Sequence, residues 1–133
     1  MIEVKEGKTV IKLKKFYFGT GSSKITPEIA IELDKVVDVL ASFPNIQLNI
    51  ETYTDSRGSS NTNLRYTKAR SNAIKKYLLA NGVSEGNIIN TIGYGEDKIL
   101  NNCKNGVYCL DILHKKNQRS LFVVLNDTTL FDD

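Results

Sequence analysis

Ile46-Gln47-Leu48-Asn49-Ile50-Glu51, residues 46–51, alternates apolar and polar side chains in period two, the pattern of a strand with one buried face. Thr54-Asp55-Ser56-Arg57-Gly58-Ser59-Ser60, which follows, is dense in turn formers. A helix is then predicted from Asn61 to Ala80, closed by Asn81-Gly82, and Asn87 to Ile92 is a short apolar run that reads as another strand. Strand, helix and strand in this order set an α/β architecture. Upstream, Thr26-Pro27 supplies an N-cap with proline at the first helical position. Ile29, Leu33, Val36, Val37 and Leu40 recur at helical spacing until Pro44. Residues 9–18 carry β-branched and aromatic side chains and read as one strand or two short ones before Gly19-Thr20-Gly21. Downstream, Gly93-Tyr94-Gly95 reads as a turn, residues 96–118 as a polar segment with a short helix near Leu110 to Lys116, and Leu121 to Leu125 as an interior strand. The order β-α-β-α-β-(α)-β predicts an α/β (α+β) sandwich: one mixed sheet with helices packed on it, a single domain over 1–133 with its core at about 9–126 and a frayed tail at 127–133.

The 133 residues, 41% hydrophobic and 25% charged, have ordinary globular usage for one domain, which excludes a disordered or coiled-coil chain. A net charge of +3 is too small to point to nucleic acid. No stretch reaches the roughly 20 apolar residues of a membrane helix, so direct membrane insertion is not expected. The first eight residues, MIEVKEGK, hold no apolar leader segment, so an exported protein would contain this chain as an excised piece. Cys103, Cys109 and His114 fall one short of the four ligands of a structural zinc site, and no metal or cofactor is expected. The two thiols can be free or bridged.

In the second helix Asn63, Thr67, Arg70 and Ile74 share one stripe, while Tyr66, Ala69, Ala73 and Tyr77 read as the packing face. Asn63, Thr67 and Arg70 then sit at the core's edge near the Asp55 loop. Arg70 and Asp55 read either as a solvated helix residue and a turn residue, or as the cation and anion of a small polar pocket. Such a pocket suits a zwitterion, the carboxylate accepting from an ammonium and the guanidinium fork donating to a carboxylate. With one His and no Gly-rich phosphate loop, catalytic residues are not assigned and an enzyme is not expected.

Thr54-Asp55-Ser56-Arg57-Gly58, then Asn63, Thr67, Ala69-Arg70, Gly82-Val83, Gly93-Tyr94-Gly95-Glu96 and Asn117-Gln118-Arg119 stand in an order and spacing that resemble the OmpA-like peptidoglycan-binding domain. The resemblance runs from about Phe16 to Leu125. It implies non-catalytic binding of peptidoglycan through the meso-diaminopimelate of the stem peptide, at the periplasmic face of the outer membrane of a diderm bacterium, anchoring an outer-membrane protein or lipoprotein to the wall. The alternatives are a stator- or secretion-associated wall-binding module and a wall-modifying enzyme. Asp55 is implied to take the ammonium and Arg70 the carboxylate, with Asn63 and Thr67 shaping the pocket and Arg119 and Tyr53 at further family positions. The chain departs from the family at several points. Tyr53 stands for His, Thr52 for Gly, Thr67 for Ser and Gln118 for the first Arg of N-R-R, which removes a charge beside the pocket; about Thr20-Gly21 replaces Phe-Asp. A subgroup carries two cysteines spaced as Cys103 and Cys109 are, which implies a disulfide.

Overall fold

The structure, a computed structural model, describes residues 1–126; the predicted tail lies outside them. Strands β1 (Ile2–Lys5), β2 (Lys8–Ile11), β3 (Leu48–Tyr53), β4 (Ile88–Gly95) and β5 (Arg119–Val124) form one mixed sheet in the order β1-β2-β5-β3-β4. Only the β3–β4 pair is parallel, and the crossover between them is helix α2 (Ser60–Ala80). Helix α1 (Pro27–Ser42) lies with α2 over one face, burying Ile29, Leu33, Val36, Ile74 and Leu78 against Leu48, Ile50 and Phe122. The opposite face carries a smaller cluster of Val10, Tyr53, Leu121 and Val123.

Three sequence expectations change. First, the strand expected over residues 9–18 ends at Ile11 and pairs with an additional strand, β1, across the two-residue turn Glu6-Gly7. Both turn residues have positive φ, 53° and 74°, the geometry that matches the twist of a tight hairpin. Glu6 tolerates it because Arg119 holds its carboxylate through two bonds of 2.7 and 2.8 Å. Residues 12–26 leave the ladder: Lys14 N–H donates instead to the buried Glu32 of α1 at 2.7 Å, and Phe16 and Phe18 settle edge to face on the core.

Second, Gly93-Tyr94-Gly95 is part of β4 and not a turn. A Cβ at position 93 would stand 2.4 Å from Lys68 N and 2.6 Å from Thr67 Oγ1, so the glycine lets the helix backbone lie directly on the strand. Third, the buried face of α2 is the mixed stripe itself, Asn63, Thr67, Arg70, Ser71, Ile74 and Leu78, and Ala69 is exposed. Against a strand with so little side chain, short polar residues pack well, and each finds a partner. Thr67 Oγ1 accepts from Gly95 N–H at 2.9 Å, while Ser71 Oγ lies within hydrogen-bonding distance of Thr52 Oγ1 and of the Ile92 carbonyl, at 2.8 and 3.0 Å. Helix α3 (Asp111–Lys115) closes the segment before β5, and no helix among the described residues is long and apolar enough to cross a membrane.

Candidate functional site

Where α2 starts over the end of β3, the Asp55 loop, the segment 17–21, α3 and the side chain of Gln118 enclose a cleft of about 490 Å³. Asp55, Asn63 and Arg70 line it, as do Arg57, Tyr66 and Lys115. Asp55 follows directly on β3, and its Oδ1 accepts from Arg57 N–H at 2.8 Å, an Asx turn that fixes the loop. The Arg57 guanidinium adds bonds of 3.2 Å to Oδ1 and 2.9 Å to Oδ2, and Gln118 Nε2 donates to Oδ2 at 2.6 Å. Burial pushes the Asp55 carboxyl up, but the Arg57 and Gln118 hydrogen bonds outweigh it and hold the group below its ordinary range. The hydrogen bonds to Asp55 and to Asp111 hold the Arg57 guanidinium above its ordinary value. Gln118 therefore replaces a charge by a direct hydrogen bond to the carboxylate. It is a site residue that spacing alone does not reveal.

Arg70 reaches the cleft from the third turn of α2. It is 8% exposed, stacked between the Phe18 and Tyr66 rings at 5.2 and 5.6 Å. Nε donates to the Ser22 carbonyl at 2.8 Å and Nη2 to that of Gly19 at 3.2 Å. No carboxylate pairs with it among the described residues, and burial lowers its pKa. Three of its five N–H donors thus remain for a ligand. Beside it, Thr54 Oγ1 is buried in the cleft wall without a hydrogen-bond partner among the described residues.

The other candidates serve the frame. Asn63 Nδ2 donates to the Arg57 carbonyl and to Glu96 and lies 3.3 Å from the Asp55 carbonyl, pinning the loop from beneath. Thr67 is fully buried against β4 and forms no part of the cleft wall. Tyr53 and Arg119 lie on the sheet face away from α2. The Arg119 guanidinium sits 3.9 Å above the Tyr53 ring, whose other side stacks on Tyr94 at 4.8 Å. Arg119 is taken up by Glu6 and by the carbonyls of Asn117 and Lys98, and Tyr53 O–H by Glu51, so neither has a group directed to the cleft.

Cys103 and Cys109 are joined in a disulfide, their Cα atoms 5.9 Å apart. The bridged loop is tied to the cleft: Ser56 Oγ donates to the Cys103 carbonyl, Arg57 Nη1 bonds Asp111 at 2.8 Å, and Glu96 joins Asn63 to Asn105.

A second cavity of about 280 Å³ lies between the β1–β2 hairpin and Leu13, Phe16 and Leu100, with Arg119 in its wall. Of the sequence candidates, only Arg119 lines it.

Comparison with known proteins bears on this arrangement. The family model described as the OmpA family matches residues 17–108. The chain is 35% identical over 89 residues to the peptidoglycan-associated lipoprotein of Rhizobium meliloti, covering 67% of this chain and 50% of that protein. It is 31% identical over 119 residues to the peptidoglycan-associated lipoprotein of Buchnera aphidicola, covering 86% and 65%. The chain thus spans between half and two thirds of these relatives' length. Among solved structures, the peptidoglycan-associated lipoprotein of Burkholderia pseudomallei superposes with a TM-score of 0.71 at 23% identity, over 85% of this chain and 90% of that one. A MotB-like protein of Desulfovibrio vulgaris gives 0.74 at 22%, over 92% and 76%. At these identities the superpositions speak for the fold.

Proposed function

The chain belongs to the OmpA family, and from that premise we propose that it binds peptidoglycan without chemically altering it, holding the zwitterionic end of the stem peptide's diamino acid between Asp55 and Arg70. In this reading it anchors an outer-membrane protein or lipoprotein to the wall from the periplasmic side. The observation that carries the reading is Arg70: a buried guanidinium, fixed by two backbone carbonyls and two rings, that keeps three donors toward a cleft shared with a buried carboxylate. A cation is costly to bury unpaired, and an incoming carboxylate supplies the missing partner. Asp55 is already shared by Arg57 and Gln118, so the ligand's ammonium joins or displaces Arg57, whose side chain is 46% exposed. Names among the relatives support wall binding, and the two oppositely charged groups support a diaminopimelate head group over lysine, which lacks the distal carboxylate.

Co-sedimentation with purified sacculi tests the reading. The wild type should pellet with the wall and release no soluble fragments, Asp55→Asn should stay in solution, and diaminopimelate should compete where lysine does not. Fragment release would turn the assignment to a wall-modifying enzyme, and equal competition by lysine would remove Arg70 as the reader of a carboxylate.

A further inference from the structure

The charges lining the cleft do not balance. Arg57, Arg70 and Lys115 face Asp55 and Asp111, so one positive charge is in excess before any ligand enters, and a zwitterion leaves that excess unchanged. Asp111 cannot absorb it, because its Oδ1 is bonded to Arg57 at 2.8 Å and its Oδ2 lies 3.8 Å from Lys115. A further positive charge, Lys15, gathers at the Tyr17 end. The ammonium groups of Lys115 and Lys15 each lie 5.4 Å from the centre of the Tyr17 ring, so two like charges converge on one aromatic side chain. Lys15 Nζ donates only to main-chain carbonyls, those of Lys115 and Lys116 at 3.1 and 3.4 Å, and has no carboxylate partner among the described residues. Burial, then the charges of Arg119 and Lys5, lower its pKa against the opposing pull of the Glu6 carboxylate.

Resting on the cleft's assignment as the stem-peptide site, we propose that Lys15, Tyr17 and Lys115 form a second anion subsite, which takes another carboxylate of the same stem peptide. Tyr17 gives the subsite a rigid apolar floor, and the two ammonium groups supply the charge. The spacing fits one ligand. Gly19, whose carbonyl carries Arg70, is two residues from Tyr17, at most roughly 7 Å along the backbone, which is the reach of about two extended peptide units. A stem peptide anchored by its diamino acid at Arg70 therefore brings a neighbouring carboxylate within reach of the lysines.

Calorimetry with synthetic diaminopimelate-containing tetrapeptides tests this as a double cycle. One peptide keeps both remaining carboxylates, one has the glutamate α-carboxylate as carboxamide, and one has the C-terminus as carboxamide. For wild type, one of the two amidations should weaken binding about 5-fold, in line with a partly exposed charge pair. In Lys15→Gln and in Lys15→Gln/Lys115→Gln that loss should shrink to less than about 2-fold. Indifference of the wild type to both amidations, or a loss that persists in the lysine variants, overturns the subsite while the head-group site stands. A wild type that binds none of the peptides overturns the cleft's assignment and the subsite with it.

Discussion

Replacing Arg70 by lysine keeps the charge and removes the fork, and the structure allows both costs to be worked out. Nε and Nη2 each hold a backbone carbonyl, at Ser22 and Gly19, and the side chain lines the cleft with donors to spare. A single ammonium at the end of a shorter stem can keep one of those carbonyls, but it cannot hold both and present a planar pair of donors to a carboxylate. Losing one bond from a charged, buried donor costs about 1.5–3 kcal/mol. For a domain of this size each kcal/mol is worth roughly 3–4 °C, so the melting temperature should fall by about 5–10 °C. On the ligand side, exchanging a bidentate pair for a single contact costs about 2–3 kcal/mol, or roughly 30–150-fold in affinity. Calorimetry with diaminopimelate, run at least ~15 °C below the variant's own melting temperature, separates binding loss from unfolding. The Arg70→Ala variant, which frees the Gly19–Ser22 segment entirely, should melt lower still. An affinity for Arg70→Lys within 3-fold of wild type would refute the role given to the guanidinium.

Two further outcomes follow from contacts around the cleft. The Asp55 carboxyl is held below its ordinary range, so its contribution is complete above the usual carboxylate pKa of about 3.9 and is lost as pH falls below it. Wall binding and denaturant midpoint should therefore be level from pH 7 to 5 and decline only below about pH 4, with Glu6, Glu32 and Asp111, shifted the same way, adding to the stability loss; a decline already half complete at pH 5.5 would contradict this. Removing the disulfide with Cys103→Ser/Cys109→Ser should lower the melting temperature by roughly 8 °C, since closing so short a loop is worth about 2 kcal/mol in the chain-entropy model. Because Ser56 leans on that loop, ligand affinity should fall as well, and a variant with unaltered melting and affinity would show the loop to be decoupled from the cleft.

What the sequence discloses here is local. Thr26-Pro27 and the Ile29–Leu40 spacing place α1, and the alternation at 46–51 marks β3, because capping and periodicity act over a few residues. The Glu6-Gly7 hairpin is missed in the sequence reading, its only signal being a glycine between two short β-branched runs. The packing face of α2 was not legible. Its polar stripe is buried because β4 offers Gly93 beneath it, a fact about a strand some twenty residues away. In the same way Asp55 and Arg70 are marked by charge and spacing, whereas Gln118 and Tyr17 enter the cleft only through the tertiary contacts that bring the residue before β5 and residues 17–21 to it. Tyr53 and Arg119 show the converse: neighbours of the motif in sequence, directly paired in the β3–β5 ladder, and turned to the other side of the sheet.

The seating of α2 on Gly93 also bears on the order in which the molecule assembles. With backbone against backbone and no Cβ between them, the helix cannot be accommodated by a strand displaced by one position, since Ile92 or Tyr94 would then lie where there is no volume for a side chain. Seating the helix there is also what brings Thr67 and Ser71 to their partners. Asn63 and Arg70 ride on that same helix, so their approach to the Asp55 loop waits on the same event. A chain whose second helix has not yet docked therefore has no assembled cleft: the carboxylate and the guanidinium come face to face only when that helix is seated.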